Sequence, residues 1–115
     1  MTARQIVDVL AYMEQKMDLF PDFLASLPAT GWDGTMKKRF RNQNLGPLRG
    51  LFRAKTGTLT DPIVVSALAG YFRHEKHGLV AFCIIENGKN GAKQPPVTEI
   101  RERQDNVLAA MLKGL

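Results

Sequence analysis

Between Ile6 and Met17 the apolar residues Ile6, Val9, Leu10, Met13 and Met17 return every three or four positions, the spacing that lines one side of a helix. Thr2 and Gln5 stand just ahead of them with the residue types of a capping box, so the pattern predicts a helix over about residues 3–17. Phe20-Pro21 breaks the period, and Asp22 to Leu27 reads as a short second helix ending at Pro28. Gly31-Trp32-Asp33-Gly34-Thr35 is turn-rich, Met36 to Phe40 fits one more helical turn, and Asn42 to Gly50, with glycine, proline and asparagine, reads as a loop.

At Leu51 the pattern changes to strands. Leu51 to Thr60, Ser66 to Arg73 and Leu79 to Glu86 are short runs rich in β-formers, the last two joined by the hairpin loop His74-Glu75-Lys76-His77-Gly78. Leu79 to Ile85 is apolar at every position, as expected of a central strand covered on both faces. A polar connection from Asn87 to Pro96 leads to a final helix, introduced by Pro96 and Thr98. Ile100, Val107, Leu108, Met111 and Leu112 form its stripe and Gly114 closes it. The expected fold class is α+β: N-terminal helices, a three-stranded antiparallel meander and a C-terminal helix, in one domain spanning residues 1–115.

Composition narrows the classes. No apolar run approaches the roughly 18–20 residues of a membrane span, and no apolar signal core follows Met1. A start directly at a helix cap suits a domain cut from something longer. Cys83 is the lone cysteine, so no internal disulfide forms, and its apolar neighbours make it a small core residue. His74 and His77 flank a turn without metal-ligand spacing around them and are weak evidence for zinc. The net charge is +5, and Lys37, Lys38, Arg39, Arg41, Arg49, Arg53 and Lys55 follow one another without an acidic residue between. Such a cluster is also what phosphate contacts use. No nucleic-acid module accompanies it, and a solvated loop face explains it as well.

The segment that carries chemistry is Arg53-Ala54-Lys55-Thr56-Gly57-Thr58-Leu59-Thr60. Lys-Thr-Gly on a strand can line a site for a carboxylate: the lysine supplies charge, the threonine a hydroxyl donor, and the glycine a close approach to backbone. Ser26-Leu27-Pro28, Asp33-Gly34-Thr35, Lys55 to Thr60, Ser66 to Tyr71, and Ala81-Phe82 to Glu86-Asn87-Gly88 occur in that order. Together these blocks resemble the C-terminal region of the D-alanyl-D-alanine carboxypeptidase family, which includes the class C low-molecular-mass penicillin-binding proteins. The likeness runs from about Thr2 to Leu112.

The resemblance implies a penicillin-binding, β-lactamase-like transpeptidase fold, an antiparallel sheet with helices on both faces beside a helical lobe. It also implies a serine-type carboxypeptidase or endopeptidase acting on peptidoglycan stem peptides, in a periplasmic or cell-envelope parent, with no metal or organic cofactor. By carry-over, Lys55 and Thr56 hold the terminal carboxylate of the substrate, Gly57 leaves room beside them, and the Thr58 backbone gives an oxyanion donor. Alternation places Lys55 and Gly57 on one face and Thr56 on the other. A joint role therefore needs an edge strand approached from its side.

The departures are as informative. Neither Ser26 nor Ser66 has a lysine three residues on, so the Ser-x-x-Lys nucleophile motif of the family is absent, and neither opens a Ser-x-Asn motif. Thr35-Met36-Lys37-Lys38 matches the spacing by chance. No catalytic residue is therefore expected in the chain itself, and stem peptide or β-lactam is expected to bind only with an N-terminal half. Asp61 to Val65 is inserted relative to the compact family pattern. Asp33 fits a turn or helix cap better than a site, and Trp32 fits an anchor for that turn. An alternative is a non-catalytic binding domain that keeps the fold, and a more distant one a basic nucleic-acid-binding module. The family's sheet carries N-terminal strands beside the one resembling Leu79–Glu86, so an open edge is expected here, with a homodimer formed through it or the segment Asn87–Pro96 folded over it.

Overall fold

The computed structural model describes residues 2–29, 51–61, 63–89, 91 and 93–115. Helix α1 is Ala3–Glu14. Thr2 is its N-cap: the Gln5 amide donates to Thr2 Oγ1 at 3.2 Å and the Thr2 amide to Gln5 Oε1 at 2.8 Å, closing the expected box. The helix ends three residues earlier than the apolar spacing predicts, with Gln15 as C-cap. Met17 falls in the following turn at 88% exposure, and Val9 at the helix flank is 55% exposed. Leu10 is the buried residue of this stripe. The short helix α2, Phe20–Ser26, opens on Pro21 in its first turn, where a missing amide costs nothing. The same proline that breaks the period thus starts the second helix.

Three strands follow, β1 (Phe52–Leu59), β2 (Val65–His74) and β3 (Gly78–Asn87), then helix α3 (Val97–Gly114). The sheet is antiparallel in the order β1-β2-β3. The expected α+β class and meander are present. The central position that the apolar pattern of the third strand suggests is not found, whereas the edge position that the resemblance implies is: among the described residues β2 is central and β3 lies at the edge. Its two-sided apolar character has another cause, since helices lie on both faces of the sheet.

One face carries Phe52 and Ala54, Leu68 and Phe72, and Phe82, which pack with Leu108 and Ala109 of α3 into the main core. Val107, expected in this stripe, is 44% exposed at its flank. Pro96, without a side-chain cap bond, takes the N-cap position, so Thr98 lies within the first turn. The opposite face meets α1, chiefly at β3, and holds Tyr71. The Tyr71 hydroxyl donates to the Leu10 carbonyl at 2.7 Å, and its ring meets Phe20 and Phe23 edge-on at 5.3 and 6.3 Å. A side chain at Gly70 would stand 2.0 Å from the Arg53 carbonyl oxygen, so β1 and β2 approach here only because position 70 has none. Gly78, at φ +73°, turns the hairpin, where His74 Nδ1 accepts from the Lys76 and His77 amides.

Candidate functional site at the edge of the first strand

Lys55-Thr56-Gly57-Thr58 lies on β1, which among the described strands ends the sheet on the side opposite β3. The start of this strand is anchored. The Ala54 amide donates to the Pro28 carbonyl at 3.0 Å, Ala29 bridges Arg53, and the Arg53 guanidinium donates to the Leu27 carbonyl at 3.1 Å. The chain leaving α2 therefore clamps the first residues of β1. Beyond the clamp, Lys55, Gly57, Thr58 and Leu59 are exposed and Thr56 is half-buried.

The clamp also gives the direction of the backbone groups. Ala54 points its N–H away from β2, toward Pro28. Backbone groups alternate along a strand, so the N–H groups of Thr56 and Thr58 share that outward direction. Lys55 joins them differently. Its side chain starts on the opposite face from Thr56 yet folds over the rim, and Nζ donates to the Thr56 carbonyl at 3.0 Å. A long, flexible stem brings an ammonium to the edge that strand alternation alone denies it. At Gly57 an added Cβ would have no atom within 4 Å, so the rim there is open. Among the described residues the result is an exposed edge with the Lys55 ammonium, the outward Thr58 amide and small side chains, suited to a short, extended, anionic ligand.

Both serines are engaged away from this edge. Ser26 Oγ donates to the Phe23 carbonyl at 2.6 Å within the last turn of α2. Ser66 is 2% exposed beneath α3, where Gln104 Nε2 lies 3.3 Å from its carbonyl and 3.4 Å from its hydroxyl. The buried Gln104 went unnoticed in the sequence, although a glutamine on the apolar side of a helix is a detectable signal. The Arg103 guanidinium bonds Glu86 of β3 and Glu99, and the Glu86 bond first, then those charges, hold it more firmly protonated than usual. Burial pushes the Cys83 thiol up, in keeping with a half-buried packing residue. Burial, then the Glu14 charge, pushes the Tyr71 phenol up to about 12. No group of three or more His, Cys, Asp or Glu that could hold a metal gathers among the described residues. Asp33, Trp32, Thr35 and the basic residues from Lys37 to Arg49 lie outside the described residues. No described helix is long and apolar enough to cross a membrane.

The model of the D-Ala-D-Ala carboxypeptidase 3 (S13) family matches residues 1–111. The chain belongs to this family. No curated protein and no solved structure matches it significantly. The S13 match takes in α1, α2, β1, β2, β3 and most of α3, so the Lys-Thr-Gly strand lies within S13 sequence rather than beside it.

Proposed function

We propose that this chain supplies the substrate-side part of a serine-type D-Ala-D-Ala carboxypeptidase or endopeptidase site, working on peptidoglycan stem peptides in the cell envelope. The observation that carries the reading is Lys55-Thr56-Gly57-Thr58 on an exposed edge strand of an S13-family chain. In this reading the Lys55 ammonium and the Thr56 hydroxyl bind the terminal carboxylate of the substrate. Gly57 admits the peptide against the strand. The outward Thr58 amide stabilises the oxyanion that forms when a serine attacks the carbonyl, a donor of a kind worth roughly 3–4 kcal/mol in the transition state.

The attacking serine is not supplied by these 115 residues. A nucleophile needs a lysine one helical turn on, and Ser26 and Ser66 lack it in sequence. The Ser-x-x-Lys element must come from polypeptide outside them. The test uses a labelled penicillin. The chain alone is expected to form no covalent adduct. When it is co-expressed with a polypeptide of the family that carries Ser-x-x-Lys, adduct should appear on that partner, and Lys55→Ala should lower the acylation rate at least tenfold with the far-UV spectrum unchanged. Stoichiometric labelling of the chain alone, or unchanged acylation in Lys55→Ala, refutes the reading.

A further inference from the structure

The turn between β2 and β3 is spanned by the side chain of its first residue. His74 pairs with Gly78 across the hairpin, and between them His74 Nδ1 lies 3.0 Å from the Lys76 amide and 3.2 Å from the His77 amide. Both partners are N–H donors, so Nδ1 offers a lone pair and the ring is the neutral tautomer with its proton on Nε2. The side chain does what asparagine or aspartate does at the start of a turn, accepting from amides two and three residues on. There is one difference. An asparagine oxygen accepts at every pH, whereas a histidine nitrogen stops accepting when it takes up a proton.

His77 takes the opposite role. Its amide is one of the two that His74 holds, while its ring Nε2 donates to the Leu115 carbonyl at 3.2 Å, where α3 ends. A protonated His77 still carries that N–H, and a cation suits the negative end of a helix. His77 thus keeps its ring contact in both forms, and His74 cannot keep its own. The two rings stand 5.0 Å apart, so a charge on one opposes a charge on the other. The other charged groups around the turn are Arg73, Glu75 and Lys76 in the hairpin, Lys113 in the last turn of α3, and Glu14 of α1, which lines one hollow with His77. Between about pH 5 and 8 histidine is the side chain that changes charge, so over that range the change at the turn comes from the two rings.

We propose that His74 is a proton-sensitive latch on the β2–β3 hairpin. A proton on Nδ1 replaces the lone pair with an N–H aimed at two other N–H groups. Both bonds then break, and the turn from Glu75 to His77 opens. That turn places the His77 ring against the end of α3, so the contact with Leu115 is released with it. The closed turn accepts only the neutral ring, whereas the open turn accepts either form. Protonation therefore favours the open turn: the latch is shut on the alkaline side of the histidine range and opens as pH falls through it. The hairpin lies at the end of the sheet where Phe52 pairs with Phe72, and Lys-Thr-Gly runs toward the other end, where Thr58 pairs with Ser66. The latch thus governs how the end of α3 is held and leaves the polar rim of β1 alone.

The test is an acid titration of the unmodified chain from about pH 8 to about pH 5, followed by nitrogen-15 NMR. At the alkaline end the His74 ring should carry its proton on Nε2 and none on Nδ1. As it titrates, the Lys76 and His77 amide protons should move upfield together with the midpoint of the His74 ring. Over the same range the nuclear Overhauser contact between the His77 ring and Leu115 should fall by at least half. His74→Asn, whose oxygen accepts both amides at every pH, should keep the two amide positions and the contact to the acid end. A proton on Nδ1 at the alkaline end overturns the proposal, as do amides that ignore the His74 midpoint or a contact that survives its titration. So does a His74→Asn chain that loses the contact on acidification all the same. If His74→Asn does not fold, the titration of the unmodified chain decides by itself.

Discussion

Tyr71→Phe removes a single hydroxyl from the joint between the sheet and both N-terminal helices. The ring remains, with its edge-on contacts to Phe20 and Phe23 at 5.3 and 6.3 Å, so packing is conserved. The loss is the buried bond to the Leu10 carbonyl at 2.7 Å, a net contribution of about 1 kcal/mol. At pH 8 the wild-type chain should therefore exceed the variant by about that amount. The advantage should also vanish with pH in one direction. The folded phenol is raised from 10.0 to about 12, so the unfolded chain ionises first. A raised acid contributes fully below the unfolded value and loses its contribution as pH climbs toward the folded one. One pH unit above 10 the loss is about 1.4 kcal/mol, enough to cancel the hydrogen bond. Urea unfolding of both proteins from pH 8 to 11 measures this, with the variant overtaking near pH 11. Equal stability at pH 8, or a difference that stays constant to pH 11, refutes the reasoning.

Two further substitutions test the sheet and its cover. Gly70→Ala drives a methyl to 2.0 Å from the Arg53 carbonyl oxygen, which only backbone movement relieves, so urea unfolding should show a loss of about 2 kcal/mol or more. Gln104→Ala strips the buried Ser66 hydroxyl of a polar neighbour, and the same measurement should give a loss of about 1–3 kcal/mol; Ser66→Ala in that background should restore part of it.

How much of this was legible in the sequence depends on the range of the forces involved. The capping box at Thr2 and Gln5 is a local hydrogen-bond exchange and was readable directly. So were the three strands, whose apolar content and glycine-bearing hairpin are local too. Met17 was misassigned because spacing continues past the point where α1 ends. Only the cap at Gln15 shows the end. The place of β3 was legible only through the resemblance, which gave an open edge, whereas the apolar pattern alone suggested a central strand. Apolar residues on both faces report covering helices, not neighbouring strands, and periodicity cannot separate the two. At the candidate site, the motif was readable but its geometry was not. The clamp from Leu27, Pro28 and Ala29 onto β1, some 25 residues away in sequence, aims the Thr56 and Thr58 amides outward.

The two edges of the sheet offer the same backbone groups, so their side chains must decide what each one takes. At β1 the rim is lysine, threonine and glycine, and beyond the clamp four of its last five residues are exposed. A polar rim of that kind loses little when empty, because water satisfies it, and it suits a ligand that comes and goes. At β3 the rim is leucine, valine, alanine, cysteine and isoleucine under two helices. Such an edge gains from staying covered, since its side chains leave water together with its backbone. The β2 strand separates the two edges, which puts them roughly 10 Å apart at about 4.8 Å per strand step. Substitutions at that distance act nearly independently. Lys55→Ala should thus lower acylation in the co-expressed system while leaving the stability of the chain in urea unfolding unchanged, because Lys55 lies on the exposed rim. If Lys55→Ala also lowered stability, the polar rim would be part of what holds the fold together, and the division of roles argued from its side chains would be wrong.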